Sequence, residues 1–331
     1  MSKRSIILDC DTGTDDAMAI ILAALNPDID VRAITVTHGN LPLENTLNNT
    51  LRVVQMLNAN IPVYAGCSEP MVKKMLPGRV MNQVIQVQAD SDTRVSKIHE
   101  PHLPLPDTTI TPEKQHAVSF LVDTFRHERH TLVAIGPATN IGMALRMDPS
   151  IAENIDELVV MGGGVYCSNV TQSAEANFFW DPEAAEIMLR AKTKITIIPL
   201  DATTSALFSK QDGEDFKKIG TVPAIFFGDL IINFCERMEA IKLSNTADPN
   251  QFECAIHDAL CILYLINSSI LTDVRHQDAY VDFGGMYSDG QLLVDNRSYM
   301  DVKNNIHIAY KADKQLIKDL IIKILNCRYE F

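Results

Sequence analysis

Along the first two hundred residues, short apolar runs alternate with amphipathic stretches. The runs Ser5 to Leu8, Val31 to Val36, Pro62 to Tyr64, Thr131 to Ile135, Glu157 to Met161 and Lys194 to Pro199 read as buried strands. Between them Asp15 to Leu25, Leu43 to Leu57, Gln115 to Phe125, Asn140 to Met147 and Pro182 to Ala191 carry apolar residues at helical spacing. This strand-helix alternation predicts an α/β fold, a mainly parallel open sheet with helices on both faces. No internal repeat or low-complexity linker divides the chain, so residues 1–331 are expected to form a single domain. From Met71 to Pro112 the pattern dissolves into a polar, proline-interrupted stretch, expected to be a mobile loop or lid. From Ala279 to Phe331 the chain reads as β-hairpin material around Gly284-Gly285 and Asp289-Gly290, then a helix from Asp313, expected to complete an edge of the sheet.

Composition narrows the setting. With 46% hydrophobic and 21% charged residues, the chain can bury a large core. No apolar run reaches the ~18 residues of a membrane helix, and the N-terminus enters a strand without a signal-peptide pattern, so the protein is expected in the cytoplasm, away from membranes. Seven scattered cysteines without a CxxC pair suggest reduced, mostly buried thiols. A formal net charge of −13 without a basic stripe argues against nucleic acid as a partner and is compatible with a small neutral or cationic ligand.

The polar residues that interrupt the apolar runs carry the chemistry. Asp9, Asp11, Asp15 and Asp16 fall within eight residues, on the turn between the first strand and the first helix. In open α/β sheets that edge is where ligands bind. Crowded carboxylates repel one another unless a positive charge neutralises them, and oxygen-only donors suit Ca²⁺ or Mg²⁺. Helix capping by Asp15 and dipole pairing by Asp16 account for two of the four and leave Asp9 and Asp11 unexplained. Thr37-His38-Gly39-Asn40, Gly136 to Asn140 and Gly162 to Gly164 follow later strands and are expected on the same edge. Asn169, Glu175 and Asn177 form a donor and acceptor set suited to hydroxyl-rich ligands. His257-Asp258 interrupts an apolar stretch, either as a helix cap or as a distant metal ligand beside a proton donor.

Taken together, these motifs resemble the inosine/uridine-preferring nucleoside hydrolases: DCDTGTDDAMAI from Asp9, ITVTHGN from Ile34, GPATNI from Gly136, VVMGGG from Val159, AEANFFWDPEAA from Ala174 and AIHDAL from Ala255. The resemblance spans nearly the whole chain. It implies hydrolysis of the N-glycosidic bond of ribonucleosides to free base and ribose, with Ca²⁺ as cofactor, a role in nucleoside salvage and a homo-oligomer. Asp11 looks like the general base and also a metal contact. Asp16, Asp258 and the backbone carbonyl of Ile135 look like Ca²⁺ ligands. Asp15, Asn169, Glu175 and Asn177 look like the ribose binders, Asn40 like a polar contact beside them, and His257 like the residue facing the departing base.

The chain departs from the family pattern on the base side. A histidine-glycine motif expected near Arg79 to Asn82 is missing, leaving His99 and His102 as candidates to reach in. Tyrosines frequent in relatives are absent from Ile232 to Met238, where this chain offers Asn233, Phe234 and Met238. The base preferred does not transfer across these changes. Two other classes compete. Asp9-x-Asp11-Thr12 after a strand also resembles haloacid-dehalogenase-type phosphohydrolases, with Asp9 as nucleophile, although that reading does not predict Asp15-Asp16 or His257-Asp258. A non-catalytic nucleoside-binding protein of the same fold would keep the ribose site without turnover.

Overall fold

The computed structural model describes residues 3–76, 101–240, 246, 248, 251–297, 299–303 and 305–327. In chain order the first half gives β1 (Arg4–Cys10), α1 (Thr14–Leu25), β2 (Ile29–Val36), α2 (Leu43–Met56), β3 (Val63–Ala65), α3 (Ala117–His127), β4 (His130–Ala134), α4 (Thr139–Met147) and β5 (Ile155–Met161). There follow α5 (Ala176–Trp180), α6 (Pro182–Leu189), β6 (Ile195–Ile198), α7 (Leu200–Thr203), β7 (Leu207–Phe208), α8 (Lys210–Lys217), α9 (Val222–Ala240), β8 (Cys254–Ala255) and α10 (Ala259–Ile266). The C-terminal part adds β9 (Leu271–His276), β10 (Ala279–Val281), β11 (Leu292–Val294), β12 (Ile306–Ala312) and α11 (Lys314–Leu325).

Eight strands form one sheet in the order β3-β2-β1-β4-β5-β6-β12-β9, parallel throughout except for β9, which runs antiparallel to β12. Both faces are covered, which is why β1 reads as an almost unbroken apolar run. Successive side chains leave a strand on opposite faces. Ile6, Leu8 and Cys10 therefore enter one core cluster with α1, α2, α9, α10 and α11, while Ile7 enters the other with α3, α4 and α6. Helix α1 packs against α2, α9, α10 and α11 and is apolar on all sides because nearly all of it is buried. Burying one such Ile or Leu contributes about 1.5–3 kcal/mol.

The chain winds outward from β1 to β3, then crosses back to place β4 on the other side of β1. The crevice opened by this reversal lies at the C-terminal ends of β1 and β4. All six strands and five helices expected from periodicity are present within a few residues of their predicted ends.

One expectation is corrected. The hairpin β10–β11 does not complete the sheet edge; it forms its own two-stranded sheet, burying Ala279, Val281 and Leu292 in the second cluster with Tyr280 and Leu293 outward. The edge is completed by β12 and β9, whose Ile306, Ile308, Ala309 and Leu271 are buried. The final helix starts where expected, capped by Asp313, whose carboxylate accepts from Leu316 N at 3.0 Å.

Within the polar stretch from Met71 to Pro112, residues 77–100 lie outside the described residues. Its later part is tied to α2. Arg52 Nη1 donates to Leu105 O at 2.7 Å, Leu103 N donates to Asn49 Oδ1 at 3.0 Å, and the Leu103 side chain is buried. None of the described helices is long and apolar enough to cross a membrane.

Candidate active site

Strand β1 delivers the aspartates to the crevice, and its neighbours fix each one differently. Asp9, still on the strand, is fully buried and accepts from Thr35 Oγ1 at 2.5 Å and Asn140 Nδ2 at 2.9 Å. Sealed in this way, it cannot act as the nucleophile that a phosphohydrolase would need. Asp11, just beyond the strand, accepts from the backbone N–H of Asn40 at 2.5 Å through Oδ2. Its Oδ1 is buried and accepts no hydrogen bond from any described residue. Glycine is required around it: a Cβ on Gly39 would stand 2.0 Å from Asp11 Oδ2, and one on Gly136 2.6 Å from Oδ1. The turns after β2 and β4 thus close directly on the Asp11 carboxylate.

Asp16 folds back from the first turn of α1. Its Oδ1 accepts from Asp11 N at 3.1 Å and its Oδ2 from Gly13 N at 2.9 Å, with the Asn40 amide at 3.4 Å. One oxygen each from Asp15, Asp16 and Asp258 lies within 4.8 Å of the others, a set that could hold a metal ion. Asp258 comes from the turn between β8 and α10, more than two hundred residues away in sequence. The turn Asp11-Asp16 and the late His-Asp pair therefore do meet.

Burial governs the electrostatics, and among the described residues the charges that act on Asp11, Asp16 and Asp258 are those of other acids. Desolvation raises Asp16 to about 7 and Asp15 to about 6, and repulsion from Asp15 adds to it at Asp16. Desolvation likewise raises Asp11 and Asp258 well above the usual carboxylate range, each pushed further by the other aspartates. Such an arrangement fits a hard cation that would keep these oxygens ionised.

Opposite this cluster sits α5, a helix of five residues capped by Glu175. The buried Glu175 carboxylate accepts from Gly163 N at 2.8 Å, Asn177 N at 2.9 Å and Phe178 N at 3.2 Å, and desolvation raises it to about 7. The glycine triplet after β5 thus serves Glu175. Asn177 commits its Nδ2 to the carbonyls of Ile135 at 3.0 Å and Met161 at 3.1 Å, which leaves Oδ1 to meet a ligand. The Ile135 carbonyl keeps its second lone pair. Asn169, exposed on the preceding loop, accepts from Ala176 N at 3.0 Å and so closes that loop onto the start of α5.

His257, half-buried, has Nδ1 2.7 Å from Thr203 Oγ1, and burial lowers it to about 4, so the ring is neutral near pH 7. Thr203, on α7, carries no sequence signal that marks it. Of the residues expected on the base side, His102, Asn233 and Phe234 line a small cavity with Arg237, Gly13 and Thr14, at the start of α1. Met238 is buried and does not line this cavity. His99 lies outside the described residues.

Residues 6–319 match the model of the inosine-uridine preferring nucleoside hydrolase family. A pyrimidine-specific ribonucleoside hydrolase, RihB, of Escherichia coli O157:H7 (strain EC4115 / EHEC) is 34% identical over 325 residues, covering 97% of this chain and 96% of the relative. The RihB of Escherichia coli (strain SE11) is 36% identical over 317 residues, covering 95% and 94%. Among solved structures, a purine-preferring ribonucleoside hydrolase from Gardnerella vaginalis superimposes with a TM-score of 0.80 at 26% identity, covering 98% of this chain and 99% of that one. The chain belongs to the inosine-uridine preferring nucleoside hydrolase family. It is a ribonucleoside hydrolase acting on N-glycosyl bonds.

Proposed function

We propose that this enzyme hydrolyses ribonucleosides, pyrimidine ribonucleosides preferentially, to free base and ribose in a calcium-dependent reaction. The observation that carries this reading is the acidic cluster of Asp15, Asp16 and Asp258 at the switch point of the sheet, with Asp11 tied to it through its backbone N–H and Glu175 and Asn177 facing it. The pyrimidine preference is supported by the RihB relatives, whose similarity runs the length of both chains.

Asp11, Asp16, Asp258 and the Ile135 carbonyl would hold the ion, and the buried Asp11 Oδ1 without a hydrogen bond fits that use. Calcium held there would keep the carboxylates ionised, offer a positive anchor for the sugar hydroxyls and make a water easier to deprotonate. Asp15, Glu175, Asn169 and the Asn177 Oδ1 bind the ribose hydroxyls, and Asn40 steadies Asp11 and Asp16 from the β2 turn. Asp11 takes the proton of the attacking water as its general base. Ionised carboxylates around the sugar stabilise the positive charge that develops on the ribose ring as the C–N bond lengthens. His257 faces the departing base as a neutral imidazole. Its Nδ1 lies 2.7 Å from Thr203 Oγ1, and in the tautomer that carries its hydrogen on Nε2 the ring offers that hydrogen to the base.

The decisive experiment compares uridine, cytidine and inosine with 2′-deoxyuridine, before and after chelation. The expected outcome is a kcat/KM for uridine at least ~10²-fold above that for deoxyuridine, because a site built for the missing hydroxyl leaves its own groups unpaired. Activity is lost on chelation and returns with calcium. Equal rates on uridine and deoxyuridine, or full activity in chelator, would sink the reading.

A further inference from the structure

Helix α5 is too short to hold its place by helix propensity. Its start faces the ribose, through Glu175 and Asn177. Its end is held from outside by a buried lysine. Lys73, in a one-turn 3-10 helix (Lys73–Met75), is 3% exposed. Its Nζ donates to the carbonyl of Phe179, lies 3.1 Å above the centroid of the Phe179 ring and is 3.3 Å from Asp289 Oδ2, itself fully buried in the loop between β10 and β11. Two residues before it, Met71 N donates to Asp181 Oδ2 at 2.8 Å. Asp181 in turn caps α6, accepting from Ala184 N at 3.1 Å, and accepts from Thr139 Oγ1 at 2.7 Å.

A lysine out of water persists only where its charge is paired and its donors are used. At this position the pairing also does something directional. The last carbonyls of a helix have no partner within the helix, and Lys73 supplies one at Phe179, two residues beyond Asn177. Asp289 pairs with the same ammonium at 3.3 Å. Sliding α5 along its axis would therefore break the contact to Phe179 and leave two buried charges poorly placed.

We propose that Lys73 is a positioning residue for ribose recognition: clamped between Phe179 and Asp289, it fixes α5 and with it the places of Glu175 and Asn177. This inference rests on the reading that Glu175 and Asn177 bind the ribose hydroxyls. It predicts that a change at Lys73, remote from the reacting atoms, selectively damages discrimination between ribonucleosides and 2′-deoxyribonucleosides.

The test measures kcat and KM for uridine and 2′-deoxyuridine in wild type, Lys73→Met, Asp289→Asn and Glu175→Gln, normalised to folded protein by circular dichroism. Lys73→Met keeps most of the unbranched side chain and removes the ammonium and its charge. The expected result is a roughly tenfold rise in KM for uridine and a roughly tenfold fall in the uridine to deoxyuridine ratio of kcat/KM, with kcat within a few-fold of wild type. A merely structural role lowers both substrates alike and leaves the ratio unmoved. Asp289→Asn retains the shape of the site and should shift the ratio in the same direction by a smaller factor; it carries the test should Lys73→Met fail to fold. A high wild-type ratio that collapses in Glu175→Gln but is unchanged in the folded Lys73 and Asp289 variants overturns the proposal alone. A wild-type ratio near one, or one insensitive to Glu175→Gln, overturns the ribose reading and the proposal with it.

Discussion

Two sets of buried carboxylates in this molecule have opposite fates. Glu157, near the start of β5, is 4% exposed. Lys194 Nζ lies 2.8 Å from it, Arg4 3.5 Å, and the hydroxyls of Thr196 and Tyr264 donate at 2.8 and 2.9 Å. Burial alone would raise its pKa, but the hydrogen bonds from Lys194, Thr196 and Tyr264 and the Lys194 charge outweigh it and hold Glu157 below the ordinary glutamate value. At the other end of the strands, Asp11, Asp15, Asp16 and Asp258 are pushed upward by burial, and the charges bearing on them are largely one another's. A carboxylate whose partners are already in the fold is a structural device. Carboxylates gathered without a cationic partner among the described residues mark a place where the protein expects a positive charge from outside, first an ion and then the cationic ribose of a transition state.

The largest test of this contrast is Asp11→Asn. The amide preserves volume and can still meet the Asn40 N–H through its oxygen, but it cannot take a proton from water. We expect the fold to persist, as judged by circular dichroism, while kcat falls on the order of 10² to 10⁴-fold. Near-normal turnover would remove Asp11 from the role of base and erase the difference between the two carboxylate sets.

His257 sharpens the comparison from the leaving-group side, because it is a titratable group in the same crevice that burial keeps neutral. His257→Ala should slow inosine on the order of 10²-fold, yet leave p-nitrophenyl riboside within a few-fold of wild type, since a good leaving group needs little help from a donor. Equal losses on both substrates would reassign His257 to ribose binding or to packing against Thr203.

How much of this was legible in the sequence follows from where each signal is stored. The strands and helices of the first two hundred residues were readable because each element buries a periodic face in one of two cores. Asp11, Asp16, Glu175 and Asn177 were readable as candidates because each sits in a short polar motif that interrupts the apolar pattern, although Asn40, Gly163 and Ile135, which hold three of them in place, come from other turns. The hairpin was misplaced because alternation gives the buried face of a strand but not which strand pairs with it. Thr203 beside His257, Asn140 beneath Asp9 and the Lys73–Asp289 pair were hidden for a related reason: each joins segments at least 54 residues apart through one side-chain contact, and a single threonine, asparagine or lysine has no periodicity to announce it.

A smaller effect concerns stability, and its sign distinguishes the two sets directly. Asp9 and Asp16 are raised from 3.8 to about 7, Asp15 from 3.8 to about 6 and Glu175 from 4.5 to about 7, with burial the leading cause in each. Between the ordinary and the raised values the folded protein binds more protons than the unfolded chain. Their contribution to stability is therefore fully present below about pH 4 and is lost as pH rises through about 6 to 7. In chelator, Tm is expected to fall by roughly 5 °C between about pH 5 and pH 8, the equivalent of about 2 kcal/mol. Saturating calcium should flatten that slope, because an ion holds the carboxylates in their charged form. Parallel slopes with and without calcium would show that the cluster is not where the ion binds.

The smallest expected change is at Glu157, where the contrast predicts stability without catalysis. Glu157→Gln keeps an oxygen for Thr196 and Tyr264 but gives up the charge that Lys194 and Arg4 attend. Their side chains are 41% and 42% exposed, so both can turn to water and neither is stranded. The loss should be about 1–2 kcal/mol, a Tm drop of roughly 2–4 °C. Because Glu157 is depressed rather than raised, its contribution is present above its ordinary value of 4.5 and is lost as pH falls through its lower folded value. The calcium-loaded variant should accordingly lose less stability than wild type on acidification, a slope opposite to that of the cluster. Its kcat and KM should match wild type, since Glu157 lies toward the N-terminal end of β5, away from the crevice. A kcat loss approaching that of Asp11→Asn would break the comparison, for it would mean that the two carboxylate sets act as one network across the sheet.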